Sequence, residues 1–273
     1  MTYNVEAEWI SGRSAYQRMD YFENVIDTLS PDVVAIQEGC KAWSANFFDT
    51  QRSFIFEYNV IHAQTQVTTD HHLTMLYICY KRDRYELLDE GTERFTNYEG
   101  MKNKPTMGFG AVWIKLRDKQ TGDKFICIST HWHHTDGTQE WSNEARYHQA
   151  KSMVSLVTRL EQEHDCPVIV GGDFNTLSVS DYANYIVEMA NYGLEFEDYG
   201  DKYAMVPLES IGYSSLKFVE GVKTEGFIAK SNSIDNIYAR LDKVTATAIC
   251  THVDEDTKQA SDHYPVYADL TLK

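Results

Sequence analysis

The sequence is short of positive charge: across 273 residues, Lys plus Arg number 25 against 41 Asp plus Glu, a formal net charge of −16 with histidine neutral. Duplex nucleic acid carries roughly one negative charge per 1.7 Å of axis, and no Lys/Arg cluster in the chain matches it. Composition therefore speaks against a protein that holds nucleic acid through basic surface alone. Long hydrophobic runs are missing too. No stretch approaches ~18 uninterrupted apolar residues, so nothing reads as a bilayer-spanning helix. No basic-then-apolar leader opens the chain, but Met1 to Val5 already reads as part of a buried strand, so the compartment, secreted or cytoplasmic, stays open. Linkers, internal repeats and low-complexity tracts are also lacking. The five cysteines, Cys40, Cys79, Cys127, Cys166 and Cys250, are odd in number and widely spaced. That removes a disulfide framework and the paired spacing of a thiolate zinc site, and they read as ordinary buried thiols.

What the chain does have is core material. With 42 % hydrophobic and 13 % aromatic residues it can bury a substantial interior, which excludes a disordered chain. Between Ser14 and Leu29, the residues Tyr16, Met19, Phe22, Val25, Ile26 and Leu29 recur at steps of three and four, the spacing of one helical face, with Ser14 as N-cap and Pro31 as the stop. Val33 to Ile36 is a continuous apolar run ending at Gln37-Glu38, a buried strand with polar residues at its tip. Phe54–Ile61, Leu73–Tyr80, Tyr85–Leu88, Gly110–Leu116 and Phe125–Thr130 are short, β-branched or aromatic, and separated by polar turns, which predicts antiparallel strands. A second helix is expected from about Asn143 to Glu163, with Ala150, Met153, Val154, Val157 and Leu160 inward. Pro167–Val170 reads as another buried strand, and further strands are expected at Ser233–Arg240, Val244–Cys250 and Tyr264–Leu270. Asn191 to Lys230 shows no sustained period and reads as loops with a short helix or strand around an active-site mouth. The whole, residues 1–273, is expected to be a single α+β domain with strands sandwiched by helices.

The informative pattern is chemical. Asn4 follows Tyr3, Glu38 closes the second strand, His131 closes Ile126–Thr130, Asp173 and Asn175 close Val168–Val170, Asp235 opens or interrupts another strand, and Asp262-His263 precede the last. One strand-end Asp or Asn is by default a turn residue, but six apolar strands ending in a hydrolytic inventory is a different matter. If these ends converge, four carboxylates share one pocket. Two like charges ~4 Å apart cost about 4 kcal/mol at an effective dielectric near 20, so such a pocket takes up protons or a divalent cation. Oxygen ligands with scattered histidines and no clustered thiols favour a hard ion, Mg²⁺ or Mn²⁺, and a hard ion with open positions serves phosphate ester chemistry.

In their order along the chain, Thr2-Tyr3-Asn4, Ile36-Gln37-Glu38, Ser129-Thr130-His131, Arg146 with Gln149, Gly172-Asp173-Phe174-Asn175, Ile234-Asp235-Asn236-Ile237 and Ser261-Asp262-His263-Tyr264-Pro265 resemble the endonuclease/exonuclease/phosphatase superfamily, whose fold DNase I shares. Each string is weak alone; seven in order, from Met1 to Leu272, are specific. The resemblance implies a four-layer α/β/β/α sandwich of two mainly antiparallel sheets, and metal-dependent attack of water on a phosphoester. It implies Glu38 as the principal metal ligand with Asn4 and Asp262 nearby, and Glu6 as a possible further carboxylate. Asp173 and Asn175 would align or activate the water. His263 would be the catalytic histidine with Asp235 on its other ring nitrogen, and His131 would donate to a non-bridging oxygen. Two departures stand out: Trp132, where the family usually has Leu, is expected to replace it in the core rather than stack on substrate; and the chain reaches its first motif early, which leads us to expect residues upstream.

The expected partner is a phosphoester substrate, with a small, sugar, inositol or lipid-like molecule ahead of a polynucleotide; action on DNA or RNA is the alternative. Trp9, Trp132, Trp141 and Tyr213 are the aromatics expected near the mouth. Two other classes compete. His131-Trp132-His133-His134-Thr135-Asp136 invites a metallo-β-lactamase-type dinuclear zinc site, but the Asp falls one place late and no His follows it. A non-catalytic binding module would have lost one of the core residues, and none is lost.

Overall fold

The computed structural model describes residues 1–6, 13–49, 51–64, 75–95, 110–134, 140–177, 204–217, 219–220, 222–225 and 234–273. Strands among them form two sheets. In hydrogen-bonding order, the first contains β10 (Lys223–Glu225), β12 (Val244–Thr251), β13 (Val266–Leu272), β1 (Thr2–Asn4), β2 (Val33–Gly39), β4 (Met75–Lys81) and β3 (Tyr58–Gln64). The second contains β5 (Tyr85–Arg94), β6 (Gly110–Asp118), β7 (Lys124–His131), β8 (Val168–Asp173), β11 (Asp235–Arg240) and β9 (Tyr213–Ser215). The β1/β2, β10/β12 and β7/β8 ladders are parallel and the others antiparallel.

Four apolar clusters define the layers. Leu76, Ile78 and Tyr80 of β4 meet Val112, Ile114 and Leu116 of β6 between the sheets, and Ile237 and Ala239 of β11 meet Val244, Ile249 and Val266 there. The alternate residues point outward. Val34 and Ile36 of β2 and Tyr77 and Cys79 of β4 pack under α1 (Ala15–Leu29) and α2 (Lys41–Phe47). Ile126 and Ile128 of β7 and Val168 and Val170 of β8 pack under α4 (Glu140–His164), through its Ala150, Met153, Leu156, Val157 and Leu160. The result is the expected four-layer sandwich. Strands apolar on both faces explain why the sequence shows continuous runs rather than alternation.

Local differences from the sequence reading have identifiable causes. Phe54 to Glu57 form a helical turn, α3, ahead of β3. The rings of Phe54 and Tyr58 stack at 4.9 Å, and residues four apart meet this way on a helix but not on a strand. β5 runs on to Arg94 past a register shift between Leu87 and Asp89, its polar second half lying on a sheet edge. Helix α2 starts at Cys40 without a side-chain cap, so no start signal marked it. Tyr16, counted on the inner face of α1, is 63 % exposed under the Arg52 guanidinium. Within 191–230, α5 (Val206–Ser210), β9 and β10 are ordered elements; much of the remainder lies outside the described residues. No described helix is long and apolar enough to cross a membrane.

A short helix, α6 (Glu255–Ala260), leads into Ser261-Asp262-His263 and begins at Asp254 in a capping box: Asp254 Oδ1 accepts from Thr257 N at 2.8 Å, and Thr257 Oγ1 accepts from Asp254 N at 2.9 Å. Burial pushes the Asp254 carboxyl up, but the Thr257 N–H and the His252 ring outweigh it and hold it below the ordinary range. A carboxyl depressed in the folded state stabilises above its unfolded pKa, about 3.9, and loses that contribution as pH falls through the folded value. Asp254→Ala is expected to cost about 1 kcal/mol at neutral pH. In urea unfolding its deficit against the unsubstituted protein should shrink below about pH 4; a constant deficit would show that the carboxylate's charge plays no part.

Candidate active site

Inward-facing residues change character at one end of the sandwich. Along β7 the inner face reads Cys127, Ser129, His131; along β8, Ile169, Gly171, Asp173; along β1 and β2, Thr2, Asn4 and Ala35, Gln37. A Cβ on Gly171 would lie 3.3 Å from Thr2 Cβ and 3.4 Å from Ala35 Cβ, so small residues let the sheets approach there. Polar groups then join them: Gln37, whose Oε1 accepts from Thr2 Oγ1 at 3.1 Å within the first sheet, donates across from Nε2 to Ser129 Oγ at 3.0 Å, all buried.

Register places the second sheet's contribution side by side. His131 pairs with Asp173 across β7/β8, and Asp173 with Asp235 across β8/β11. Asp173 Oδ2 is the meeting point. It accepts from Asn4 Nδ2 at 3.0 Å, and lies 3.5 Å from His131 Nε2 and 4.0 Å from His263 Nε2. Its other oxygen accepts from Asn175 N at 2.9 Å, and Asn175 Nδ2 donates to the Trp132 carbonyl. Asn4 Nδ2 also donates to Glu38 Oε1 at 2.9 Å, which lies 3.8 Å from His131 Nε2. Glu38 reaches this position because β2 shifts register between Ile36 and Gly39 and Glu38 adopts φ 58°; in unbroken alternation it would point with Ile36 toward the helices. His263 is held by Asp235, whose Oδ2 lies 2.5 Å from His263 Nδ1, while Ser261 Oγ accepts from His263 N and donates to the Asn4 carbonyl at 2.7 Å.

Burial alone would lower the His263 pKa, but Asp235, then Asp173 and Asp262, outweigh it and hold the imidazolium well above the usual histidine range. Asp235 is wholly buried, and Lys217, 2 % exposed, is a cation acting on it. No motif drew attention to Lys217, which stands between Leu216 and Phe218; Gln37, Ser129 and Ser261 lay inside the motif strings, but nothing there pointed to their role as ties between segments.

The remaining sequence candidates lie elsewhere. Asp262 is half exposed, with Oδ1 4.0 Å from His263 Nε2. Glu6 is buried with Oε2 3.7 Å from Arg18 Nη1, and its N–H donates to Asn4 Oδ1. Arg146 is buried behind the site, donating to the His133 carbonyl at 3.1 Å and Ser142 Oγ at 2.8 Å. Trp132 is fully buried, edge-on to Phe174 at 5.0 Å, as a core residue. Tyr213 does not border the site: it pairs with Arg240 at the far end of β11 and donates to Glu161. Trp9 and the Trp141 side chain lie outside the described residues. His133 is buried against His134 and pushed down to about 4, chiefly by burial. Among the described residues it joins neither metal-capable cluster, Glu38–His131–Asp173 or Asp173–Asp235–His263, which removes the geometry a dinuclear zinc site would need.

The profile of the endonuclease/exonuclease/phosphatase family matches residues 1–263. The chain belongs to this family. No curated protein sequence matches it. Solved structures do: the family member from Bacteroides vulgatus (22 % identity, TM-score 0.69, covering 100 % of this chain and 97 % of that one), the Bacteroides thetaiotaomicron mannosyl-6-phosphatase (16 %, 0.69, 99 % and 98 %), and the human nocturnin catalytic domain with bound sulfate (15 %, 0.68, 99 % and 93 %). At these identities the likeness speaks for the fold. Endonuclease/exonuclease/phosphatase proteins are hydrolases of phosphoester bonds and typically depend on a divalent metal.

The residues present suit such an ion. Ligand atoms of Glu38, His131 and Asp173 lie within 4.8 Å of one another, and two carboxylates converging with one imidazole favour a hard divalent cation over a thiophilic one. Titration with Mn²⁺, followed calorimetrically, is expected to show Glu38→Gln binding at least ~10-fold more weakly; unchanged affinity would remove Glu38 from the ion's shell.

Proposed function

We propose that the protein is a phosphoesterase dependent on Mg²⁺ or Mn²⁺, in which water attacks a phosphodiester or phosphomonoester beside Asp173. The observation that carries this reading is the convergence on Asp173 Oδ2 of Asn4, His131 and His263, with Asp235 behind His263. When bound, the ion supplies Lewis acidity toward a phosphate oxygen; Glu38 would hold it, with Asn4 and Asp262 nearby. Asp235 keeps the His263 proton on Nδ1 when the ring is neutral and stabilises the imidazolium when it is charged. With the ring neutral, Nε2 and Asp173 together face the attacking water and take its proton as a pair; with the ring charged, Asp173 is the acceptor. Asn175, whose amide group and N–H are anchored on Trp132 and Asp173, would orient the phosphate, and His131 Nε2 would donate to a non-bridging oxygen as charge builds there.

For the substrate, a small sugar, inositol or lipid-like phosphoester is preferred to a polynucleotide. The net charge of −16 opposes an extended polyanion, and one structural relative is a mannosyl-6-phosphatase. Plasmid DNA, abasic DNA, sphingomyelin, inositol phosphates, mannose 6-phosphate and bis-p-nitrophenyl phosphate should be assayed with Mg²⁺, Mn²⁺ and chelator. Metal-dependent turnover of a small ester is expected, with Asp173→Ala and His263→Ala each lowering kcat by about 100-fold or more while circular dichroism stays native. Turnover of DNA alone would install the nuclease reading, inactivity throughout would favour a binding module, and near-normal rates in either variant would refute the residue assignment.

A further inference from the structure

Arg18 is a charged side chain in the middle of an apolar layer. It sits on α1 between Ala15, Met19 and Phe22, at 0 % exposure. Burying a guanidinium costs several kcal/mol unless its donors are met, and what meets them here is specific. Nη1 donates to the Val5 carbonyl and, at 2.9 Å, to the Ala260 carbonyl; Nη2 donates to the Glu6 carbonyl at 2.7 Å. The Glu6 carboxylate lies 3.7 Å from Nη1, and the Trp43 ring covers the guanidinium at 5.3 Å while its own N–H donates to the Glu6 carbonyl. Val5 and Glu6 directly follow Asn4. Ala260 directly precedes Ser261, Asp262 and His263. One planar cation thus joins two backbone segments, Val5-Glu6 and Ala260, from opposite ends of the chain, each next to a site residue, and Ser261 Oγ bonded to the Asn4 carbonyl, 257 residues away, closes the loop on the other side.

We infer that Arg18 is a positioning residue of the active site, acting through His263 and Asn4: by clamping the exit of β1 to the end of α6 it sets where His263 Nε2 and the Asn4 amide stand relative to Asp173. Glu6 belongs to this clamp as the counter-charge that allows the guanidinium to be buried. The inference rests on the phosphoesterase reading for its kinetic consequence. The planar fork is essential, because an ammonium is a point charge that does not reproduce three carbonyl contacts from two nitrogens.

The test compares Arg18→Met, Arg18→Lys and a stability control, Met19→Ala, a buried α1 residue beside Arg18 that touches neither segment's backbone in this way. With bis-p-nitrophenyl phosphate and Mg²⁺, well below each variant's unfolding temperature, Arg18→Met should lower kcat about 10-fold or more with KM within about 3-fold, since misplaced groups weaken the transition state rather than binding. Arg18→Lys should fall between, and Met19→Ala should lower Tm with kcat within about 2-fold. In a His263→Ala background, Arg18→Met should cost several-fold less than in the unsubstituted protein, because the share routed through His263 has nothing left to act on and only the share through Asn4 remains. Normal kcat in the Arg18 variants, or full additivity with His263→Ala, overturns the inference. Amide hydrogen exchange gives an activity-free arm that separates its failure from that of the function: if the unsubstituted protein hydrolyses nothing, faster exchange confined to residues 5–6 and 260–263 in Arg18→Lys, absent in Met19→Ala, still supports the clamp, and unchanged exchange there refutes it.

Discussion

The hydrogen bond from Asn4 to Asp173 is the contact on which the site depends, because it is where the two sheets become one object. Asn4 is the last residue of a three-residue strand in one sheet and Asp173 the last of β8 in the other. Elsewhere the sheets are held apart by Leu, Ile and Tyr side chains, a separation of about 10 Å in face-to-face packing. At this end Gly171, Thr2, Ala35 and Ser129 replace them, and the gap closes far enough for an amide to reach a carboxylate across it. Hydrogen bonds to charged groups contribute about 1.5–3 kcal/mol each, and the same amide nitrogen serves Glu38. Truncating Asn4 therefore sets buried Asp173 and half-buried Glu38 against each other without this donor between them.

Holding these acids in place requires backbone geometry that side chains usually avoid. Glu6, Glu38 and Asn175 all have positive φ, between 51° and 58°, at a cost of roughly 1–2 kcal/mol for a residue that is neither Gly nor Asn. Glycines nearby are equally constrained: a Cβ on Gly172 would fall 2.3 Å from the Thr130 carbonyl oxygen, and one on Gly39 would enter the Tyr77 ring. Strain of this kind persists only where surrounding packing over-determines it. Here that packing is the aromatic layer of Trp43, Phe47, Phe54 and Tyr77 on one face and the α4 layer on the other. The site is thus stabilised from the two outer layers and strained at the seam between the inner ones.

Strand ends were legible in the sequence because an apolar run stopping at a polar residue needs no partner to be recognised, and this found Glu38, His131 and Asp173, while Asp235 and His263 stood out as polar residues at or before the start of a strand. Facing was not. When both sides of a strand are buried, alternation vanishes, so nothing in Val33 to Glu38 announces that Gln37 crosses to Ser129 or that a bulge turns Glu38 inward. Exposure of aromatics was only partly legible: Tyr213 was expected near the mouth, yet it pairs with Arg240 at the far end of β11, whereas Trp132 lies in the core as its place after the histidine motif led us to expect. The i, i+4 pair of Phe54 and Tyr58 was read at strand period because a short aromatic run satisfies both templates. Arg18 was invisible for a different reason, since an arginine on an amphipathic helix is ordinarily solvent-facing.

The acidity of the chain takes on a more specific meaning once the site is built. Glu38, Asp173, Asp235 and Asp262 gather around two histidines, and Asp235, Asp173 and Asp262 hold the His263 pKa well above the usual range. An incoming phosphate would meet a negative field unless a divalent cation reverses it, so on the proposed reading the ion admits the substrate as well as polarising it. That reversal is local. Beyond about 8–10 Å, counter-ions screen it at physiological salt, and the rest of the surface keeps its excess of carboxylates. A substrate whose charge is confined to one phosphate sits wholly inside the reversed field, whereas a polynucleotide must lay many phosphates across surface that still repels them. On the proposed reading, charge distribution rather than net charge would make the pocket compatible with phosphate while weighting it toward small esters.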